Sequence, residues 1–286
     1  MTDHLTVSCH AKVNLFLRVL AREADGYHGI ETLFCRIALA DTLTMERIDT
    51  GVELTVTGAD VGPIDQNLAF RAAELALATT GRRFGVRMHL QKAIPAGAGL
   101  GGGSSDAAAA LHGVNQLAGD AIPRGELLHL ASRLGADVPF FASGAACALA
   151  WGHGERLLRL PPLPERSMLV LSPPIRIATA EAYAAVDAIR QQAGSRGSVA
   201  LDLPVLAAWG DIARLGGNDF EAVVFGLHPS VRAAFGALAN THPMLCRMTG
   251  SGSSLFAVYR TARDRDDAAA MLGSTYGTVV TTTSGG

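Results

Sequence analysis

The stretch Pro95-Ala96-Gly97-Ala98-Gly99-Leu100-Gly101-Gly102-Gly103-Ser104-Ser105-Asp106 is the part of the chain whose composition most demands a chemical task. Five of the seven residues 97–103 are glycine, and two serines and an aspartate follow. Glycine loses more conformational freedom on ordering than any other residue, so this density is costly unless the backbone performs a task that a side chain would block. Holding phosphate is such a task. N–H groups unobstructed by Cβ atoms converge on the anion, and the N-terminus of a following helix adds partial positive charge. A flexible linker has a similar composition. Linkers, however, rarely join an alternating strand (Val86, Met88, Leu90) to an amphipathic helix with Ala107, Ala110, Leu111, Val114 and Leu117 on one face.

The neighbouring sequence narrows the kind of loop. Gly97-x-Gly99-x-x-Gly102 matches the dinucleotide fingerprint in form, but that site needs a second strand ending in an acidic residue about 20 positions on. Here that region reads as helix and then the turn 118–123. A Walker A loop is excluded because no Lys-Ser/Thr pair follows the last glycine, and no HRD or DFG segment of a protein kinase is present.

Two lysines stand out by rarity. Of 24 basic residues 22 are arginine, leaving Lys12 and Lys92. A coding bias against lysine is the bland cause, yet a compact ammonium reaches one oxygen in a tight space where a guanidinium fork cannot. Asparagine is also sparse, with five in the chain, which draws attention to Asn14, Asn67 and Asn218.

The whole-chain properties bound the function. A chain of 286 residues, 49% hydrophobic and 17% charged, suits one large or two medium globular domains. A net charge of -2 implies no general attraction to nucleic acid or an anionic membrane, so an anionic ligand must be held by local geometry. The expected partners are therefore small molecules, and the protein a monomer or homodimer. The four cysteines (Cys9, Cys35, Cys147, Cys246) form no CxxC and read as reduced, buried residues. None of the nine histidines has metal-ligand spacing, so no zinc is expected. The start of the chain lacks a signal-peptide pattern, and no run approaches the roughly 18 apolar residues of a membrane span, which makes the cytoplasm the expected location.

The elements that must position these residues follow from periodicity. Strands are predicted at 5–20, 31–38, 42–47, 52–57 and 86–90, and a helix at 67–79. The helix after the glycine loop is followed by another at 124–134 and strands within 145–160. The proline cluster 161–164 marks the predicted domain boundary. Beyond it come a strand at 168–171, a helix at 178–191, further helices within 203–240, strands at 245–249 and 255–259, a helix at 262–272 and a strand near 277–283. Without regular βαβ alternation, the fold class is α+β in two layers.

With these segments in place, the chain resembles the GHMP kinase superfamily of small-molecule kinases, which includes galactokinase and homoserine, mevalonate and phosphomevalonate kinases. The run from Ile94 to Ala108 is similar to the second motif of that superfamily, Met248-Thr249-Gly250-Ser251-Gly252-Ser253-Ser254-Leu255-Phe256 to the third, and Ala11-Lys12-Val13-Asn14-Leu15-Phe16-Leu17 to the first. Four further segments resemble the branch whose acceptor is a cytidine-diphosphate-linked methylerythritol. They are Asp25-Gly26-Tyr27-His28 with Thr32-Leu33-Phe34, Gly135-Ala136-Asp137-Val138-Pro139-Phe140, Gly154-Glu155, and Asn218-Asp219-Phe220-Glu221. These matches run in order along nearly the whole chain, with only a loose likeness over 185–217.

The resemblance implies a ribosomal-protein-S5-like ATP-binding domain over 1–161 and a ferredoxin-like α/β sandwich over 162–286 that contributes to the substrate pocket. It implies ATP-dependent phosphorylation, with Mg²⁺ arriving on ATP. Asp137 would be the catalytic base, and Lys12 would stabilise charge on the transferred group. Residues 95–105 would bind ATP, 97–105 wrapping the triphosphate with help from the Ser104 and Ser105 hydroxyls, while Asn67 and Lys92 would lie by the adenine and ribose. In the acceptor pocket, Tyr27 and Tyr183 would stack on the cytosine and His28 would hydrogen-bond to it. Asn14, Phe34, Thr179 and Asp137 would complete that pocket. Each has a plainer reading: a turn cap for Asp137, a helix cap for Asn67, a structural histidine for His28. The competing functions are another GHMP kinase, of homoserine or mevalonate type, and a nucleotide-binding sensor without catalysis.

Overall fold

The computed structural model describes residues 3–22, 28–190, 201–273, 275–276 and 278–284. Two long strands, β1 (His4–Arg22) and β2 (His28–Ile48), open the chain, followed by β3 (Val52–Thr57), helix α1 (Leu68–Thr79) and β4 (Gly85–Gln91). Next come α2 (Gly102–Leu117), α3 (Arg124–Leu134) and the short α4 (Val138–Ala142). Strands β5 (Cys147–Gly152), β6 (Arg156–Leu160) and β7 (Arg166–Ser172) lead into α5 (Thr179–Arg190). Beyond residue 200 the order is α6 (Leu203–Leu206), α7 (Trp209–Ile212), α8 (Phe220–Leu227), α9 (Pro229–Ala239), β8 (Leu245–Met248), β9 (Leu255–Tyr259), α10 (Ala262–Leu272) and β10 (Thr278–Ser284). Strands and helices mix as the α+β reading expected. The strands predicted at 31–38 and 42–47 are one strand, β2, and Asp41 between them is buried with hydrogen-bond partners inside the strand. Among the described residues no single helix is long and apolar enough to cross a membrane.

The chain divides into two compact units, and neither is a contiguous half. The first comprises Met1–Ala11, Leu39–Ala96 and Gly101–Ala145; the second comprises Lys12–Ala38, Gly97–Leu100 and Ala146–Gly286. Both units draw on β1, β2 and the glycine loop, and the proline turn at 161–164 lies inside the second.

In the first unit, β4 pairs in parallel with β3, from Val52↔Val86 to Thr57↔Gln91, and antiparallel with the C-terminal half of β2, from Thr42↔Gln91 to Ile48↔Gly85. The alternate residues Leu43, Met45, Val86, Met88 and Leu90 turn one face inward. Against them lie Ala69, Ala72, Ala73, Ala76 and Leu77 of α1, and Ala107, Ala110, Leu111 and Val114 of α2, at the 3–4-residue spacing of a helix face. Alanines let the helices approach closely. Gly113 marks the tightest point, where a Cβ would strike the Met45 sulfur. Asn115, near the end of α2, is buried and accepts the Ile122 N–H at 2.7 Å while donating to the Ile122 carbonyl at 3.2 Å, which clamps the connection to α3.

In the second unit, β7 lies between β9 and β10, all antiparallel, with β8 outside β9. Leu169, Leu171, Leu255, Ala257 and Tyr259 from these strands meet Val223 and Val224 of α8, Val231, Ala234 and Leu238 of α9, and Ala268 and Leu272 of α10. The hairpin β5–β6 adds to the N-terminal half of β2, from Ile30↔Gly152 to Cys35↔Cys147. All four cysteines are buried and free, and burial pushes the Cys147 and Cys246 thiols up to about 12.

The Asn115 clamp gives a stability test. Asn115→Ala would leave both polar groups of Ile122 buried and unpaired, and should lower the unfolding free energy by about 2 kcal/mol or more in urea titrations. A loss under about 0.5 kcal/mol would mean that water replaces the clamp.

Candidate active site

In the second unit, a polar cluster forms around Asn14 of β1, which is 1% exposed. Its Oδ1 accepts from Lys12 Nζ at 2.8 Å, Thr249 Oγ1 at 3.0 Å and the Gly250 N–H at 2.9 Å. Its Nδ2 donates to Thr32 Oγ1 at 2.8 Å, and Thr32 in turn donates to the Phe16 carbonyl at 2.6 Å. Lys12 is 3% exposed, and its Nζ also donates to the Gly99 carbonyl at 3.0 Å and lies 5.2 Å from the centre of the Phe34 ring. Two neutral oxygens, the Asn14 amide and the Gly99 carbonyl, accept from this ammonium.

The glycine segment of this unit is tied to the same cluster. The Leu100 carbonyl accepts the Lys12 N–H at 3.0 Å, and the Ala98 carbonyl accepts the Ser254 N–H at 3.3 Å. Gly99 has φ +80°, and a Cβ there would strike the Thr249 carbonyl. Gly97 has φ +67° with open space around it. Thus the first motif (Lys12, Asn14), part of the second (97–100) and the third (Thr249, Gly250) meet in one hydrogen-bonded cluster. Asn218 supports it from below, donating to the Met248 carbonyl at 2.9 Å and the Gly250 carbonyl at 2.7 Å. Glu221, whose carboxyl is pushed up by burial, accepts the Met248 N–H at 2.8 Å.

In the first unit, Gly101 takes the left-handed conformation, φ +72°, and α2 starts at Gly102. No side chain caps this helix, so its first N–H groups remain for an outside acceptor, the arrangement that favours an anion. Ser105 is buried, and its N–H closes the first turn on the Gly101 carbonyl at 2.9 Å. Asn67 caps α1, accepting the Ala69 N–H at 2.9 Å, so its plainer reading holds. Asp137 precedes α4, is half-buried, and makes no side-chain capping bond to that helix.

Lys92 departs from expectation. Its ammonium, expected beside a nucleotide, is buried between the carboxylates of Asp41 and Asp106, at 2.6 Å from the latter. The two carboxylates outweigh the cost of burial and raise its proton affinity. What Lys92 can offer a nucleotide is backbone, not charge. Asp41 and Asp106 were not singled out from the sequence. The signal for Asp41 was available, as an acid inside the apolar run of β2. Thr32 was legible only within the Thr32-Leu33-Phe34 resemblance, and Asp187 carried no signal.

On the acceptor side, also in the second unit, His28 and Tyr183 stack with ring centres 5.3 Å apart at 14°. His28 Nε2 is 2.7 Å from Asp187 Oδ1, and Tyr183 also meets Phe220 edge-on at 4.9 Å. Thr179 Oγ1 is 3.1 Å from Ser251 Oγ. Tyr27, expected to stack beside His28, lies outside the described residues. No three His, Cys, Asp or Glu residues among those described gather to hold a metal.

Comparison with known proteins agrees with this arrangement. Residues 67–145 match the family model of the GHMP kinases N-terminal domain, and residues 199–278 that of the GHMP kinases C-terminal domain. A 4-diphosphocytidyl-2-C-methyl-D-erythritol kinase of Solibacter usitatus (strain Ellin6076) is 42% identical over 271 residues, covering 91% of this chain and 82% of the relative. The enzyme of the same name from Moorella thermoacetica (strain ATCC 39073 / JCM 9320) is 40% identical over 291 residues, covering 98% and 99%. A crystal structure of 4-(cytidine 5'-diphospho)-2C-methyl-D-erythritol kinase superposes with TM-score 0.84 at 38% identity, covering 99% of this chain and 100% of that one. A homoserine kinase from Cytophaga hutchinsonii shares the fold, with TM-score 0.69 at 19% identity, covering 100% and 96%.

The two left-handed glycines of the 97–100 segment give a paired test. Gly97→Ala should cost about 1–2 kcal/mol, the strain of a Cβ in the left-handed region. Gly99→Ala carries the same strain and also meets the Thr249 carbonyl, so its unfolding midpoint in urea should fall distinctly further. Equal losses would refute the close approach of Gly99 to Thr249.

Proposed function

The chain belongs to the GHMP kinase family, and we propose from this premise that it transfers the γ-phosphoryl group of ATP to the 2-hydroxyl of 4-diphosphocytidyl-2-C-methyl-D-erythritol. The reaction is a step of non-mevalonate isoprenoid synthesis. One observation carries the choice of acceptor. The relatives at about 40% identity, matched over nearly their whole length, bear the name of that kinase, whereas the homoserine kinase is 19% identical. The His28–Tyr183 stack supports it, as an aromatic surface with a hydrogen-bonding edge suited to a pyrimidine.

Phosphoryl transfer asks a protein mainly for alignment and charge stabilisation. The uncapped N-terminus of α2 and the left-handed glycines present backbone N–H groups to the triphosphate. The Ser104 and Ser105 hydroxyls add side-chain donors. Asn67 and the backbone at Lys92 border the adenine and ribose. Asp137 accepts the proton of the acceptor hydroxyl as oxygen attacks the γ-phosphorus. Lys12, held by Asn14 and the Gly99 carbonyl, stabilises the negative charge that develops on the transferred group. His28 hydrogen-bonds the cytosine edge, Tyr183 and Tyr27 stack on its faces, and Asn14, Phe34 and Thr179 shape the rest of the pocket.

Mg²⁺ bound to ATP takes most of its ligands from phosphate and water. The ion would neutralise charge on the β- and γ-phosphates. Four free, buried cysteines are in keeping with a reducing cytoplasm.

A coupled ADP-release assay with ATP and 4-diphosphocytidyl-2-C-methyl-D-erythritol, homoserine or mevalonate should show turnover of the cytidyl substrate alone. Strong turnover of a competitor with none of the cytidyl compound would overturn the assignment. Asp137→Ala should lower kcat about 10²–10⁴-fold, the usual loss on removing a general base. A near-wild-type kcat would remove Asp137 from that role.

A further inference from the structure

The buried group Lys92–Asp41–Asp106 in the first unit has a use beyond holding α2 in place. Asp41 is fully provided for as an anion. Its Oδ1 accepts the Ala93 N–H at 2.6 Å and the Ile94 N–H at 2.8 Å, and its Oδ2 accepts from Lys92. Asp106 is not. Its Oδ2 accepts from Lys92 at 2.6 Å, but its Oδ1 is buried with no hydrogen-bond partner. The titratable groups facing it are Lys92 at the end of β4, Asp41 of β2 and the Cys9 thiol of β1, which burial and the two carboxyls keep protonated. The Lys92 ammonium lies directly under the start of α2, where a Cβ on Gly102 would come within 3.3 Å of it.

Two ionised carboxylates around one ammonium would leave a net buried charge of about -1, which the partial positive charge of the α2 N-terminus offsets only in part and which opposes an incoming anion. We propose that Asp106 Oδ1 carries a proton in the free protein, so that the three side chains form a neutral floor under α2, and that nucleotide phosphates docking above make this proton more tightly held. Asp106 is then a positioning residue, acting on the phosphates through Lys92 and the first turn of α2. The second half of the statement rests on the phosphate-binding reading above. Burial and the neighbouring Asp41, against the pull of Lys92, push the Asp106 carboxyl up to about 7.

The sign of the linked effects follows. An unfolded aspartate titrates at about 3.9. Between there and about 7 the folded chain holds a proton that the unfolded chain has lost, so stability contributed by this group falls as pH rises through that window. Asp106→Asn, neutral at every pH, should lack the fall.

The decisive measurement is calorimetric titration with a non-hydrolysable ATP analogue and Mg²⁺ at pH 7.5, in buffers of different ionisation enthalpy. The wild-type chain should take up a fraction of a proton per nucleotide beyond that seen with Asp106→Asn. Equal uptake by the two proteins would overturn the proposal. If the variant does not fold, a ¹³C-aspartate titration of the wild-type protein decides. One carboxyl should titrate near neutrality and move upward on adding nucleotide, and its absence overturns the proposal. Failure of the wild-type chain to bind the analogue would sink the phosphate-binding reading and the docking effect, while the titration of the free protein still judges the proton on Asp106.

Discussion

A net charge of -2 gives the chain no general attraction for the triphosphate of the proposed reaction, so local geometry, backbone amides first, has to supply it. Amides converge on one point only where the chain turns through left-handed conformations and where no Cβ blocks the approach. Gly97, Gly99 and Gly101 are all left-handed, and the uncapped start of α2 follows. Ordering such a segment is entropically unfavourable, and its own side chains cannot offset that. The offset comes from outside the loop: Lys12 and Ser254 bond to its carbonyls in the second unit, and Ser105 closes the first helical turn in the first.

The two lysines show how identical side chains are held by different surroundings. Lys12 is held by an amide oxygen and a carbonyl, and Asn14 spends its own donor on Thr32. Those contacts anchor the ammonium where β1 meets the glycine segment. Lys92 is bracketed by two carboxylates, and its charge is consumed in holding together the end of β4, the middle of β2 and the start of α2. Breaking such a buried group would leave ions without partners, a penalty of several kcal/mol. A compact ammonium lies within 3.3 Å of where a Gly102 Cβ would stand, and a guanidinium fork would need more room there, a physical reason for lysine in a chain that otherwise uses arginine.

The Asn218–Glu221 segment explains how the third motif keeps its shape. Asn218 Nδ2 bridges two carbonyls, and Glu221 takes the Met248 N–H, so the turn entering Gly250 is braced by side chains remote in sequence. Gly250 in turn donates to Asn14. The support of Lys12 therefore runs through a chain of hydrogen bonds in which each member fixes the next.

Local rules in the sequence determined a good deal. Alternation and 3.6-residue periodicity located nearly every strand and helix, because those patterns reflect which face of an element leaves water. The density of glycine announced a backbone task at 97–103, and the rarity of lysine and asparagine pointed to Lys12, Lys92, Asn14 and Asn218. Tertiary structure alone decided what those residues touch. It showed that β2 runs unbroken through a buried aspartate, that Asn14 joins Thr249 across 235 positions, and that Lys92 turns inward to Asp41 and Asp106. It also showed that each compact unit takes separated pieces of chain. The reason is physical. A sequence pattern records whether a side chain is buried or solvated, but the partner that satisfies a buried polar group is set by which distant segments pack together.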